Sequence, residues 1–466
     1  MKVMIVGAGK LGCKLAEAIN NRDIDITLVD TNPKVLQRIN DHMDVLTINA
    51  SGLDAEKLTE AGIKDYYLLI ACTGSDEINT VICKLAKKLG CKKTIARIRN
   101  PEYMEQLDFF KQDMGIDRIV NPDLATANEI TRYLSKRYNF YSDDFAEGEV
   151  QMIDFCINNT QHFLGKRIMD LEDMEGLIIA AILRNGVIMI PNGATILQQD
   201  DVLYIIGKSR NIDQMADNLK LNVMNKITRK VMIFGGGNLG YYLAKQLSAL
   251  NLNVTIVEQD GDRCRYLSDK LNNVIVIHGD GTDINLLEEE HLRSMDVFIG
   301  ATGYDEQNLL MSLMAKQSGV KKIIAKISRP SYVHLIDKLG IDFAINPTNV
   351  TSSDILKFIR GGKVVSVSLL LGGQAEVIEV IVDKNLPFTG KKIADMGLSK
   401  GIIFGAVVHE GQVIIPNGKT VVDENDRVII FCLTTDIAKL EMFLKPSKGG
   451  IFDELRKRNK GFRNPS

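Results

Sequence analysis

The sequence predicts an α/β protein made of two doubly wound parallel-sheet domains, each followed by a small α+β domain. Three observations carry this. The stretch KVMIVGAGKLG at residues 2–12 puts an apolar strand, a glycine-rich turn and a helix start in succession. The arrangement returns as KVMIFGGGNLG at residues 230–240. Elsewhere, short apolar runs alternate with helical periodicities, as in parallel strands joined by crossover helices.

Residues 3–6 form a fully apolar run suited to a strand covered on both faces. Gly7, Gly9 and Gly12 then have GxGxxG spacing. Gly7 permits a tight turn, Gly9 lets the backbone approach a pyrophosphate, and Gly12 lets the next helix lie close on the strand. With Ala8, Lys10 and Leu11 they make a candidate phosphate loop at a helix N-terminus, where free N–H groups point outward. That helix is expected to bury Leu11, Leu15 and Ala18. The run Ile26-Thr27-Leu28-Val29 ends in Asp30, eighteen residues past Gly12, where a carboxylate can accept ribose hydroxyls. Strand, glycines, helix, strand and acid in this order are a Rossmann-like signature, much more specific than the glycines alone.

Further strands are expected at residues 45–48, 68–71, 94–98 and 116–120. Thr73-Gly74 follows the fourth strand, where the carboxyl end of a parallel strand meets a ligand. Asn121-Pro122 fits an N-cap with proline at the first helical position. The helix it opens carries Leu124, Ala127, Ile130 and Leu134 away from the sheet. From about residue 150 the texture turns β-rich, with Asn185-Gly186 as a hairpin signal and Pro191-Asn192-Gly193 as a further turn.

The rest of the chain repeats this plan. Gly235, Gly236, Gly237, Asn238, Leu239 and Gly240 form the second candidate loop, and Glu258 again stands eighteen residues past its last glycine. Thr302-Gly303 matches Thr73-Gly74, and Asn346-Pro347 matches Asn121-Pro122. Ile153, Gly165, Pro191, Asn192, Gly193 and Asp201 match Ile378, Gly390, Pro416, Asn417, Gly418 and Asp426 at a constant offset of 225. The expected boundaries are 1–140 and 226–363 for the Rossmann-like domains and 141–225 and 364–446 for the small ones, with the copies joined near residues 222–229. Residues 447–466 make a basic tail.

Composition narrows the function. A net charge of −2 gives no electrostatic case for nucleic acid as a partner. No run of about 18 apolar residues suits a bilayer span, and no leader is expected before the first strand. Seven scattered cysteines without C-x-x-C spacing point to buried thiols rather than to disulfides or a metal centre. An acid at the ribose position repels a 2′-phosphate, which favours NAD or an adenine nucleotide over NADP.

Tandem Rossmann domains with GxGxxG and an acid, each followed by a small domain with an IPNG turn, resemble the TrkA family. Its units are called RCK domains, for regulators of potassium conductance. The resemblance spans about residues 1–446. It implies small domains of the RCK C-terminal type and NAD or NADH as ligand, with ATP or ADP as alternatives. It also implies a cytoplasmic, non-enzymatic regulatory subunit that gates a membrane potassium channel or transporter subunit of the TrkH kind. Self-association into a ring, here a homotetramer, would hold it on the inner face of the membrane through that pore partner. Nucleotide binding would change the angle between Rossmann domains and so bias the pore.

The family's Gly-Asp pair after the third strand stands as Gly279-Asp280 in the second copy but as Ala50-Ser51 in the first. Its phosphate-contacting arginine at the end of the fifth strand is Arg97 in the first copy and Lys326 in the second. The resemblance thus implies unequal pockets. Lys10 and Arg97 face Asp30 in the first, net +1, while Lys326 faces Glu258 and Asp280 in the second, net −1. Two other readings stay open, a duplicated NAD-dependent oxidoreductase and an RCK-type regulator of another cation channel or antiporter. Against the first, no general acid or base is suggested beside a nicotinamide.

Overall fold

The computed structural model describes residues 1–19, 24–106, 113–135, 142–157, 162–172, 174–219, 229–332, 336, 339–360, 364–370 and 374–444. The basic tail and, Arg229 apart, the expected joint between the copies lie outside these. The chain divides into two compact units that group domains by kind. Met1–Arg137 goes with Met224–Leu356, and Tyr138–Val223 goes with Lys357–Ser466.

In the first unit, strands β1 (Lys2–Val6), β2 (Asp25–Asp30), β3 (Leu46–Asn49), β4 (Leu68–Ala71), β5 (Lys93–Arg97) and β6 (Arg118–Val120) form one sheet in the order β3-β2-β1-β4-β5-β6. All its pairings are parallel. Val3, Met4, Ile5 and the whole of β4 are buried, as a strand covered by helices on both faces must be. The order reverses between β1 and β4, so the crevice beyond their carboxyl ends is the ligand position of such a sheet. The first helix, Lys10–Ile19, buries Leu11, Gly12, Leu15, Ala16 and Ile19. Ala18 is only half-buried, a correction to the expected face.

The second copy repeats the topology. Strands β12 (Lys230–Phe234), β13 (Asn253–Glu258), β14 (Val274–His278), β15 (Val297–Gly300), β16 (Lys322–Lys326) and β17 (Phe343–Ile345) lie in the order β14-β13-β12-β15-β16-β17. The exit helix of the first copy, Pro122–Ser135, is capped by Asn121 Oδ1, which accepts from Leu124 N–H at 2.9 Å. It packs on helix Asn238–Ala249 of the second copy, where Thr131 Oγ1 donates to Gln246 Oε1 at 2.7 Å. Its apolar face therefore finds its partner within the chain. Tyr133 stacks on Phe343 at 4.5 Å, beside the edge of the second sheet.

In the second unit, the first small domain has β7 (Ser142–Phe145), β8 (Val150–Cys156), β9 (Leu177–Arg184), β10 (Val187–Met189) and β11 (Val202–Lys208), in the order β10-β9-β11-β8-β7. Asn185 (φ +52°) and Gly186 (φ +78°) make the expected hairpin turn. The second small domain has β18 (Val364–Leu370), β19 (Ala375–Ile381), β21 (Ile402–His409), β22 (Gln412–Ile414) and β24 (Arg427–Leu433), in the order β18-β19-β24-β21-β22. Short strands β20 (Lys391–Lys392) and β23 (Val421–Val422) pair beside it. The small sheets share one core, in which Met152, Ala181 and Ile206 of the first meet Val377, Ala406 and Phe431 of the second.

None of the seven cysteines is in a disulfide, and five are buried. Among the described residues, no helix is long and apolar enough to cross a membrane.

Candidate nucleotide-binding sites

The three glycines of each loop are required for different reasons. Gly7 has φ +104°, and a Cβ there would stand 2.9 Å from the Cys72 carbonyl and the Thr73 nitrogen. A Cβ on Gly12 would lie 2.0 Å from the Gly7 carbonyl oxygen. Both positions are fixed by the chain's own packing. Gly9 is different, because a Cβ there meets nothing within 4 Å. The second loop repeats this, with Gly235 at φ +107°, Gly240 at 2.1 Å from the Gly235 oxygen, and nothing within 4 Å of Gly237. Each loop thus keeps a backbone surface open at a helix N-terminus, and a pyrophosphate fits there.

The acids hold those loops in place. Asp30 accepts the Ala8 N–H on Oδ2 at 2.7 Å and the Asn32 N–H on Oδ1 at 2.8 Å. Glu258 accepts the Gly236 N–H on Oε2 at 2.7 Å and the Asp260 N–H on Oε1 at 2.9 Å. A carboxylate has about four lone-pair sites, so each acid keeps capacity for ribose hydroxyls.

Two buried asparagines, whose role the sequence reading missed, bind the ends of neighbouring strands together. Thr73 donates to Asn79 Oδ1 from its N–H and its hydroxyl, both at 2.8 Å, and Asn79 Nδ2 donates to the Arg97 carbonyl at 2.9 Å. Asn308 does the same for Thr302 and Lys326. The repetition of Asn79 as Asn308 was the available signal. One terminal nitrogen of Arg97 donates to the Thr73 carbonyl at 2.5 Å, while its buried Nε has no partner. Burial holds this guanidinium below its ordinary value. A half-buried cation with an unused donor is suited to an anionic ligand. Burial likewise lowers Lys326, against the pull of Asp123 and Asp305.

The remaining candidates differ in what they can offer. Lys10, Gly74 and Gly303 are exposed at the crevice. Leu11 and Leu239 are buried, so only their main chain is available to a ligand. Ser51 Oγ accepts from Leu53 N–H at 3.2 Å in a local turn. Asp280 Oδ1 accepts from the N–H and hydroxyl of Thr282 at 2.9 and 2.8 Å, which holds its carboxyl below the usual range. Asn238 is engaged across the copies, donating to the Arg99 carbonyl at 3.3 Å.

A cation missing from the sequence count reaches the second loop from the helix Gly261–Lys270. Arg263 Nε donates to the Gly236 carbonyl at 2.7 Å, and its guanidinium sits 4.6 Å from the Tyr266 ring centroid. It stands five residues past Glu258, where the first copy has Val35. Arg263 and Tyr266 line a cleft whose opposite wall is Gly74, Asp76 and Arg99 of the first copy.

Residues 3–122 and 231–347 match the TrkA-N domain family, and residues 152–220 and 377–445 match the TrkA-C domain family. The chain belongs to the TrkA family. It is 34% identical over 453 residues to "Trk system potassium uptake protein TrkA homolog 1" of Methanosarcina mazei, covering 96% of this chain and 100% of that one. It is 34% identical over 457 residues to "Trk system potassium uptake protein TrkA" of Haemophilus influenzae, covering 96% and 99%. Among solved structures, the GsuK RCK domain superposes with a TM-score of 0.56 at 19% identity, over 95% of this chain and 94% of that one. The GsuK channel bound to NAD gives 0.55 at 19%, over 95% and 78%. These likenesses establish the RCK-type fold. Both glycine loops lie within the TrkA-N matches, and both hairpins at Asn185-Gly186 and Glu410-Gly411 lie within the TrkA-C matches.

Proposed function

We propose that this protein is a cytoplasmic regulatory subunit of a membrane potassium-uptake system, and that it senses nucleotides through its two Rossmann domains. The observation that carries the reading is the duplicated loop with open space over Gly9 and Gly237, in a chain whose full-length relatives are named potassium uptake proteins. NAD or NADH is the expected ligand, with ADP or ATP as competitors. Its pyrophosphate would lie over Gly9 or Gly237, its adenosine ribose would meet Asp30 or Glu258, and Arg97 or Lys326 would face its negative charge. The partner is a pore subunit of the TrkH kind, beneath which four chains form a ring. A sensor rather than an enzyme fits sites whose strand ends carry Thr73, Arg97, Thr302 and Lys326, residues that bind rather than abstract protons.

The test has two arms. Calorimetric titration of the purified chain with NADH, NAD, ATP and ADP should give binding at the Rossmann sites, with NADH absorbance unchanged across a panel of carbonyl compounds. Potassium flux through vesicles holding the pore subunit and this chain should then respond to the nucleotide that binds. Steady NADH consumption would favour the oxidoreductase reading, and flux indifferent to both chain and nucleotide would overturn the regulatory one.

A further inference from the structure

The two small domains close the same hairpin corner with different chemistry. In the first, Arg184 at the end of β9 makes a two-pronged ion pair with buried Asp201, Nε to Oδ1 and a terminal nitrogen to Oδ2, both at 2.8 Å. Gln198 N–H also donates to Asp201 Oδ2, at 2.8 Å. At the offset of 225, the second domain has His409 for Arg184, Asp426 for Asp201 and Asp423 for Gln198. His409 Nδ1 lies 2.6 Å from Asp426 Oδ1, and Asp423 N–H donates to Asp426 Oδ2 at 2.7 Å.

Charge changes with the substitution. Across the turn and the loop before the last strand, the first corner has Arg184 with Asp200 and Asp201, net −1. The second has His409 with Glu410, Asp423, Glu424 and Asp426, four carboxylates where the first has two. Asp426 is only 2% exposed. A buried carboxylate is costly without a cation beside it. Arg184 supplies that cation permanently and with two donors in the first domain, whereas His409 offers Asp426 a single ring nitrogen in the second.

His409, Asp423 and Asp426 each bring one ligand atom within 4.8 Å of the others. We propose that they form a divalent transition-metal site, fitted to zinc, that takes in the second small domain the place Arg184 takes in the first. An imidazole with two carboxylates suits zinc, whereas calcium and magnesium prefer oxygen-only sets. Metal–ligand bonds of about 2.0–2.2 Å need the His409–Asp426 pair to open to about 3 Å. The His409 side chain is 43% exposed and Asp423 is exposed, so water completes the coordination from outside. The bound ion would tie the β21–β22 hairpin to the loop before β24.

The full-length chain, treated with chelator and free of nucleotide, is titrated with zinc chloride by calorimetry at about pH 8, where few protons compete with the metal for its ligands. One zinc per chain should bind at this corner. His409→Gln and Asp423→Asn should each weaken it by about tenfold or more, as loss of a ligand does. His409→Arg, which rebuilds the pairing of the first domain, should abolish binding and keep the thermal midpoint. The double change Arg184→His with Gln198→Asp should add a second zinc. A parent affinity weaker than about 100 μM, or full binding kept in His409→Gln, overturns the proposal, since a three-ligand zinc site binds more tightly than that and needs its imidazole. Both readouts are independent of the Rossmann sites.

Discussion

At Gly9 the chain leaves room that its own atoms do not use, and this separates a residue open to a ligand from one that serves the fold. Gly9→Val should fold normally, because a Cβ there meets nothing within 4 Å. It should still lose nucleotide affinity at the first site by about tenfold or more, since the side chain fills the space through which backbone N–H groups reach the pyrophosphate. Gly12→Val should instead destabilise the whole domain, because its Cβ would overlap the Gly7 oxygen at 2.0 Å. Circular dichroism beside calorimetry separates the outcomes, and a Gly9→Val chain with parental affinity would place the ligand elsewhere. The glycines and acids were legible in the sequence because their spacing is local and repeated. Arg263 was not, because its value lies in reaching back to the Gly236 carbonyl, and the first copy has only Val35 at that position. Asn79 was visible as a repeated residue, but not as the clasp between β4 and β5.

Among elements, the exit helix Pro122–Ser135 decides how the two Rossmann copies meet, and its chemistry is unequal between them. In the first copy Lys87 and Lys93 both pair with Asp117, at 2.7 and 2.9 Å. In the second, Lys316 pairs with Asp342 at 3.3 Å, but Lys322 lies 4.3 Å from the Tyr133 ring centroid with no hydrogen-bond partner for its Nζ. It is 2% exposed, and burial, opposed by Asp342, brings its ammonium down to about 8. Between about pH 8 and the ordinary lysine value near 10.5, the unfolded chain holds this proton and the folded chain does not. Stability from this group therefore rises with pH across that window, by up to about 3 kcal/mol at roughly 1.4 kcal/mol per unit. Lys322→Met should be more stable than the parent at neutral pH and should flatten the rise, while giving up a cation–π contact of about 1–2 kcal/mol. Denaturant unfolding at several pH values checks both. A parent whose stability falls from pH 8 to 10, with the same fall in Lys322→Met, would count against a buried, desolvated ammonium. The strands and helices on either side were readable from periodicity. This asymmetry was not, because it depends on where a helix of one copy lands on the sheet of the other.

For the whole molecule, duplication raises the question of whether two similar sites act as one. Charge counted from the sequence alone separates them by two units, with Lys10 and Arg97 against Asp30 in the first and Lys326 against Glu258 and Asp280 in the second. Arg263, whose side chain reaches the second loop from the helix Gly261–Lys270, raises that site to neutrality and halves the gap. A charge-assisted hydrogen bond to phosphate is worth about 1.5–3 kcal/mol before screening, and 1.4 kcal/mol is tenfold in affinity. One unit of charge therefore predicts about tenfold between the sites rather than the hundredfold that two would give. An ADP or ATP titration should show two phases with that separation. Arg97→Ala should remove the tighter phase, because the unused Nε of Arg97 is the buried donor best placed to gain an anion. Lys326→Ala should leave the tighter phase intact, and Arg263→Ala should weaken the second phase alone and widen the gap towards the two-unit value. Equal affinities in the parent, or loss of the tight phase only in Lys326→Ala, would mean that charge does not set the order. A ring built from such chains would then respond in two steps to rising nucleotide, the first copy filling before the second, and only the second step should move in Arg263→Ala.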